Sequence, residues 1–90
     1  MKTIQVSNLL SASGNPTPNQ FEIITSEGIY FQSYKTVIAF KRNDGKIILN
    51  TKYDFSNTTG KFRNYFLGDS GIDETRKKVS SGEYTLEELN

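Results

Sequence analysis

Over its first half the chain alternates short apolar runs with polar turns, and in its second half the spacing of apolar positions changes. Residues 3–10 give a first strand with a weak pattern. In Gln20–Thr25, Phe21 and Ile23 fall on one side and Glu22 and Ile24 on the other, the period of two expected of a strand. Ser26-Glu27-Gly28 turns the chain into Ile29–Gln32, and the two strands form a hairpin. Thr36–Arg42, rich in β-branched and aromatic residues, is the strongest strand. Asn43-Asp44-Gly45 follows it, and Asp-Gly tolerates the positive φ of a tight hairpin turn, so Lys46–Asn50 is the return strand.

The period then lengthens. Ser56, Asn57, Thr58 and Thr59 are helix N-cap residue types. Phe62, Tyr65 and Phe66 follow at i, i+3 and i+4, one face of a helix, and Gly68 stands where a glycine ends one. A second helix is predicted over Ile72–Ser80. Ser70 precedes Asp73 by three residues, a variant of the capping box. Asp73 and Glu74 sit in its first turn and Lys77 and Lys78 near its last, matching the helix dipole. Gly82 ends it, and residues 83–90 form a C-terminal edge strand or tail. Between the first two strands, residues 11–19 hold both prolines and are expected to be an exposed loop. The fold class is therefore α+β: a four- or five-stranded antiparallel sheet with two helices packed on one face, in a single domain over residues 1–90.

Composition narrows the chemistry. Ninety residues suit one modest core, and six Phe and five Tyr supply bulk that a 34% apolar share would otherwise lack. There is no Cys, which excludes disulfides and thiolate chemistry, and no His, which removes the usual general base and transition-metal ligand. No phosphate-cradling glycine loop, nucleophile elbow or calcium loop is present, so neither a metal, a cofactor nor catalysis is expected. No apolar run approaches the ~20 residues of a membrane span, and the first residues lack a signal-peptide pattern. A cytoplasmic location is expected.

The net charge of +1 conceals a pattern. Residues 28–68 carry Lys35, Lys41, Arg42, Lys46, Lys52, Lys61 and Arg63 against Asp44 and Asp54, a net +5, while residues 69–90 carry a net −3. Such opposite charges permit self-association and are equally satisfied within one monomer. On a strand, Tyr30, Gln32 and Tyr34 share the face opposite Ile29, Phe31 and Ser33. If the apolar set faces the helices, the Tyr-Gln-Tyr row faces outward. A partner-binding surface is thus expected from Tyr30, Gln32, Tyr34, Lys35, Lys41, Arg42, Lys46, Lys61 and Arg63. Rings beside bases also suit a single-stranded nucleic acid. Ser56, Thr58 and Thr59 have two readings: they stitch the first helix to Ser33 or Tyr34 through hydroxyls, or with Lys61 they form an anion site at the helix start.

Two segments also carry a resemblance. One runs from Tyr30 to Ala39 and the other from Tyr53 to Lys61, continuing to Phe66-Leu67-Gly68, with Asn19-Gln20-Phe21 upstream. Together they resemble small proteins of unknown function from phages and mobile elements of Gram-positive bacteria. Those proteins share an F-Q-S-Y-x-[ST]-x-I-A run followed by Y-x-[YF]-S-x-T-T-x-K, and often a Trp where this chain has Lys52. The resemblance implies a stoichiometric binder that inhibits or modulates a host or defence protein complex in a bacterial cytoplasm, as anti-CRISPR proteins do. The alternatives are a nucleic-acid-binding phage protein and a nucleotide-sequestering oligomer.

Overall fold

The computed structural model describes residues 4–11, 13–54 and 57–89, and at residues 57 and 58 the backbone alone. Five strands run β1 (Gln5–Leu10), β2 (Pro16–Ile24), β3 (Gly28–Ser33), β4 (Thr36–Arg42) and β5 (Ile47–Asn50). Helices α1 (Asn57–Leu67) and α2 (Ile72–Ser80) and strand β6 (Tyr84–Glu87) follow. The strands lie in one sheet in chain order. The first four pairings are antiparallel, as the hairpin signals require, but β6 joins β5 in parallel. The sheet is thus six-stranded and mixed, larger than the four or five antiparallel strands expected. The two helices make the difference. They carry the chain back to the starting end of β5, and a crossover through helices delivers a parallel strand.

The prolines are the second correction. Instead of a loop across residues 11–19, β2 begins at Pro16, where it pairs with Leu10 of β1. β3 pairs with β2 only from Gln20 onward. Between the pairing of Leu10 with Pro16 and that of Asn8 with Phe21 the register with β1 is broken, so residues 17–19 have no ladder partner there, and a proline is tolerated where no ladder bond is needed.

Register assigns the two faces. Phe31, Ala39 and Leu49 stand opposite one another on the helix side, with Ile29, Lys41, Ile47 and Tyr84 in the next row. The core gathers there: Phe31, Ile38, Ala39, Leu49 and Tyr84 from the sheet, with Leu9 from β1 and Phe62 and Phe66 from α1. A register shift between Phe31 and Gln32 lets Ile38 and Ala39 both be fully buried. The bulge adds one residue to β4 and turns two neighbours inward.

The buried stripe of α1 is Thr59, Phe62, Arg63 and Phe66, spaced i, i+3, i+4, i+7. Tyr65, expected beside Phe62 and Phe66, is 70% exposed. The helix is rotated away from it by two polar anchors. The Ser33 and Thr59 hydroxyls share a hydrogen bond of 2.8 Å, the stitch expected between the two segments. Arg63 donates through Nη1 to the Tyr53 carbonyl at 2.9 Å and through Nη2 to Asn64 Oδ1 at 3.0 Å. α2 spans the residues expected of it, but its N-cap is Gly71, with no side-chain cap. Ser70 reaches past Asp73 and bonds to Glu74 instead, at 3.0 Å.

Candidate binding surface

Both helices cover one face of the sheet, so the other face is open. Across it runs a row of directly paired residues, Val6, Ile23, Tyr30, Phe40, Ile48 and Thr85, one from each strand. Tyr30 and Phe40 stack with ring centroids 4.1 Å apart. Although no layer covers them, Phe40 and Ile48 are only 7% and 6% exposed. They form the floor of a depression of about 580 Å³ whose rim is Glu27, Arg42, Asn43, Asp44 and Glu87. Arg42 pairs with Asp44 at 2.9 Å, and both are exposed. The rim therefore holds three acids against one base that is already paired.

The residues expected to bind a partner separate in space. Tyr30 and Gln32 lie on the open face, with Tyr30 half-buried in its stack. Tyr34 does not continue their row. It sits in the β3–β4 turn at φ 56°, 50% exposed, its N–H bonded to the Asn19 carbonyl and its own carbonyl accepting from the Gln32 amide. Lys35 is exposed in the same turn, and Arg42 and Lys46 are exposed at the β4–β5 hairpin. Lys41 points to the helix side, where its ammonium donates to the Phe66 carbonyl at 2.9 Å and lies 4.2 Å from the Phe66 ring centroid. Lys61 lies exposed on α1 near the Phe62 ring.

Arg63 is a correction: 1% exposed, it is a core residue and lines no surface. Burial lowers its pKa below the ordinary arginine value, opposed by Asp54 and Tyr53, and the guanidinium remains a cation. The carboxylate of Asp54 lies 3.6 Å from Arg63 and 3.0 Å from Arg76, so part of the basic middle is neutralised inside the monomer. Thr59 is likewise fully buried in its bond to Ser33. An anion site at the helix start loses that hydroxyl, while Ser56 and the side chain of Thr58 lie outside the described residues. Arg63→Met keeps the apolar stem and removes the charge. Because the Tyr53 carbonyl and the Asn64 side chain then lose their donor, the variant is expected to be destabilised by about 1–3 kcal/mol, read by denaturant unfolding.

A second polar cluster escaped the sequence reading. The Asp69 side chain, just beyond α1, is completely buried. It accepts from Thr75 Oγ1 at 2.7 Å, Lys78 Nζ at 2.8 Å and Tyr84 Oη at 3.0 Å. Burial pushes its carboxyl up, but these donors outweigh burial and hold it below the usual aspartate value. Its partners follow at intervals of six, nine and fifteen residues, so no local spacing signals the cluster. Among the described residues no group of acids could hold a metal ion, and no helix is long and apolar enough to cross a membrane.

The fold and its open face define a small α+β protein with a six-stranded mixed sheet and an apolar-floored depression opposite its helices. The model of DUF8033, a family of unknown function, matches residues 4–82, and the chain belongs to that family. No curated protein and no solved structure matches it.

Proposed function

We propose that this protein is a non-catalytic, stoichiometric binder that docks a protein partner in the open-face depression. The observation that carries the reading is the depression's make-up: a floor of Phe40 and Ile48 inside a rim of mixed charge. An apolar centre with a polar rim is the anatomy of a protein interface. The rim charge favours this reading over the alternatives. A rim that carries Glu87 beside an Arg42 already paired with Asp44 offers a polyanion little, and two bases counted toward a basic face, Lys41 and Arg63, point to the helix layer. A nucleic acid and a nucleotide are therefore the weaker ligands, and a protein segment with an apolar side chain flanked by bases is the stronger one. The phage-type motifs support a partner in a bacterial host, where binding would inhibit or modulate a host or defence complex.

The test is capture from the lysate of a bacterial host, with wild type beside Glu87→Arg. Glu87 is an exposed rim residue, so its reversal leaves the fold intact. The expected result is a retained protein that survives moderate salt and binds the variant at least about tenfold more weakly. Equal capture by both proteins would remove the depression as the site. Retention of single-stranded oligonucleotide at low salt, lost steeply as salt rises, would favour the nucleic-acid reading instead.

A further inference from the structure

The two edges of the sheet differ. At one edge, β6 is four residues long, ends in Glu87 and is flanked by Glu83 and Glu88. At the other edge, β1 reads Gln5-Val6-Ser7-Asn8-Leu9-Leu10, with no charged residue and no proline. Its register with β2 is regular from Gln5 to Asn8 and breaks only beyond. Among the described residues no strand pairs with its outer side. Ile4, Val6 and Leu10 are 65%, 61% and 50% exposed, and three of the six exposed large apolar residues among the described ones thus lie on or beside this one strand. On the helix side a groove of about 420 Å³ runs along it, lined by Ser7, Leu9, Leu10, Glu22 and Tyr65. Natural sheets blunt an edge with charge, proline or cover, because its unpaired N–H and C=O groups are a template for another strand.

We propose that β1 pairs antiparallel with β1 of a second copy of this chain, about a two-fold axis at its centre, joining two sheets into one of twelve strands. Charge selects the occupant. An uncharged strand sets no like charges opposite one another when it meets itself, whereas β6 meeting itself would oppose several glutamates. The nearest acid to the axis is Glu22, paired with Ser7 one strand further in. With the axis at Ser7, the two Glu22 side chains lie three strand spacings apart, about 14 Å, beyond the screening length at physiological salt. Antiparallel self-pairing uses the same patch on both copies and closes at two. The apolar row of the open face, which ends at Val6, then continues into the second copy. Tyr65 of each copy overhangs the groove beside the joint and extends the contact. A strand of six residues is a small interface, so the dissociation constant is expected on the order of micromolar. The open-face depression lies at the β4–β6 side and stays free. The dimer would therefore present two depressions, though self-pairing does not depend on what they bind.

Sedimentation across a concentration series tests the proposal. Wild type is expected to pass from the 10.2 kDa monomer to twice that mass between micromolar and several hundred micromolar protein. Val6→Lys places a charge on the exposed edge and is expected to stay monomeric with an unchanged melting temperature. The chain has no Cys, so Ser7→Cys introduces a single thiol, expected to give a disulfide-linked dimer under oxidising conditions. A wild type that is monomeric throughout overturns the proposal, as does a dimer that Val6→Lys leaves intact. A dimer that Ser7→Cys fails to cross-link overturns the antiparallel arrangement about Ser7.

Discussion

Gly28→Ala is expected to cost about 3 kcal/mol or more, enough to lower the melting temperature of a 90-residue domain by roughly 15 °C. Gly28 opens β3 opposite Arg42. A methyl group there would run into the Lys41 carbonyl oxygen and stand 2.7 Å from Phe40 Cε1 and 2.9 Å from Arg42 Cα. Two of those atoms are backbone, so no rotamer change relieves the clash, and β3 and β4 must separate. Overpacking of this kind typically costs 1–3 kcal/mol when side chains can yield and more when they cannot. The separation would also break the stack of Tyr30 on Phe40. Gly71→Ala is the control. Nothing lies within 4 Å of its added carbon, and its φ of 177° is open to any residue. Equal melting temperatures for the two variants would show that the β3–β4 contact is loose enough to admit a methyl group.

Gly28 also shows how far the sequence could be read. Ser26-Glu27-Gly28 marks a turn, and a turn is found there. That the glycine is needed for close approach to the strand after next is a tertiary fact, which no local pattern encodes. The Asp44-Gly45 hairpin was legible because its signal is local. Gly45 has φ 92°, its N–H bonds to the Arg42 carbonyl, and the Lys46 N–H bonds to Asp44 Oδ1. The span of α2 was legible for the same reason, from its charges and Gly82. The rotation of α1 was not. Phe62, Tyr65 and Phe66 and the true stripe Thr59, Phe62, Arg63 and Phe66 fit helical spacing equally well. The choice between them lies in Ser33 and Tyr53, which are distant partners. Hydrophobicity favours burying Tyr65 over Arg63, and the polar anchors reverse that order. The parallel pairing of β6 likewise depends on where two helices deliver the chain, and four residues carry no mark of strand direction.

The candidate site was legible in part, and for a related reason. Alternation placed Tyr30 and Gln32 opposite Phe31 and Ser33, and the open face follows from that parity. The register of β4 against β3, which alternation does not supply, places Lys41 opposite Ile29 on the helix side, whereas a count of charges along the chain treats every Lys and Arg as outward. The basic middle is thereby reduced to Lys35, Arg42, Lys46, Lys52 and Lys61 at the surface. Its anionic-partner reading weakens with it, and the acids at the rim, Glu27 and Glu87, come from segments outside that middle.

Asp69→Ala is expected to destabilise the fold by about 3 kcal/mol, because it strips the shared acceptor from the Thr75 and Tyr84 hydroxyls in a buried site. For a domain whose whole stability lies within about 5–15 kcal/mol, that loss is a large share and is expected to lower the melting temperature by roughly 15 °C. Its pH dependence follows from the two shifts. Asp69 titrates below its ordinary value in the fold, so its contribution is full above the unfolded value near 4 and is lost as pH falls through the folded one. Tyr84 moves the other way. Burial first, and then the neighbouring Asp69, push its phenol up to about 12. A raised value means the fold favours the protonated phenol, so this contribution is full below pH 10 and lost between about 10 and 12. Lys78, raised by Asp69 and Glu74, acts in the same alkaline direction. Tyr84→Phe separates the two limbs. It removes the phenol's share of the alkaline loss while leaving the acid limb, since Thr75 and Lys78 still hold the carboxylate. Denaturant unfolding of wild type and Tyr84→Phe at about pH 2, 7 and 11 reads both, and an alkaline limb unchanged by Tyr84→Phe would place that loss elsewhere in the molecule.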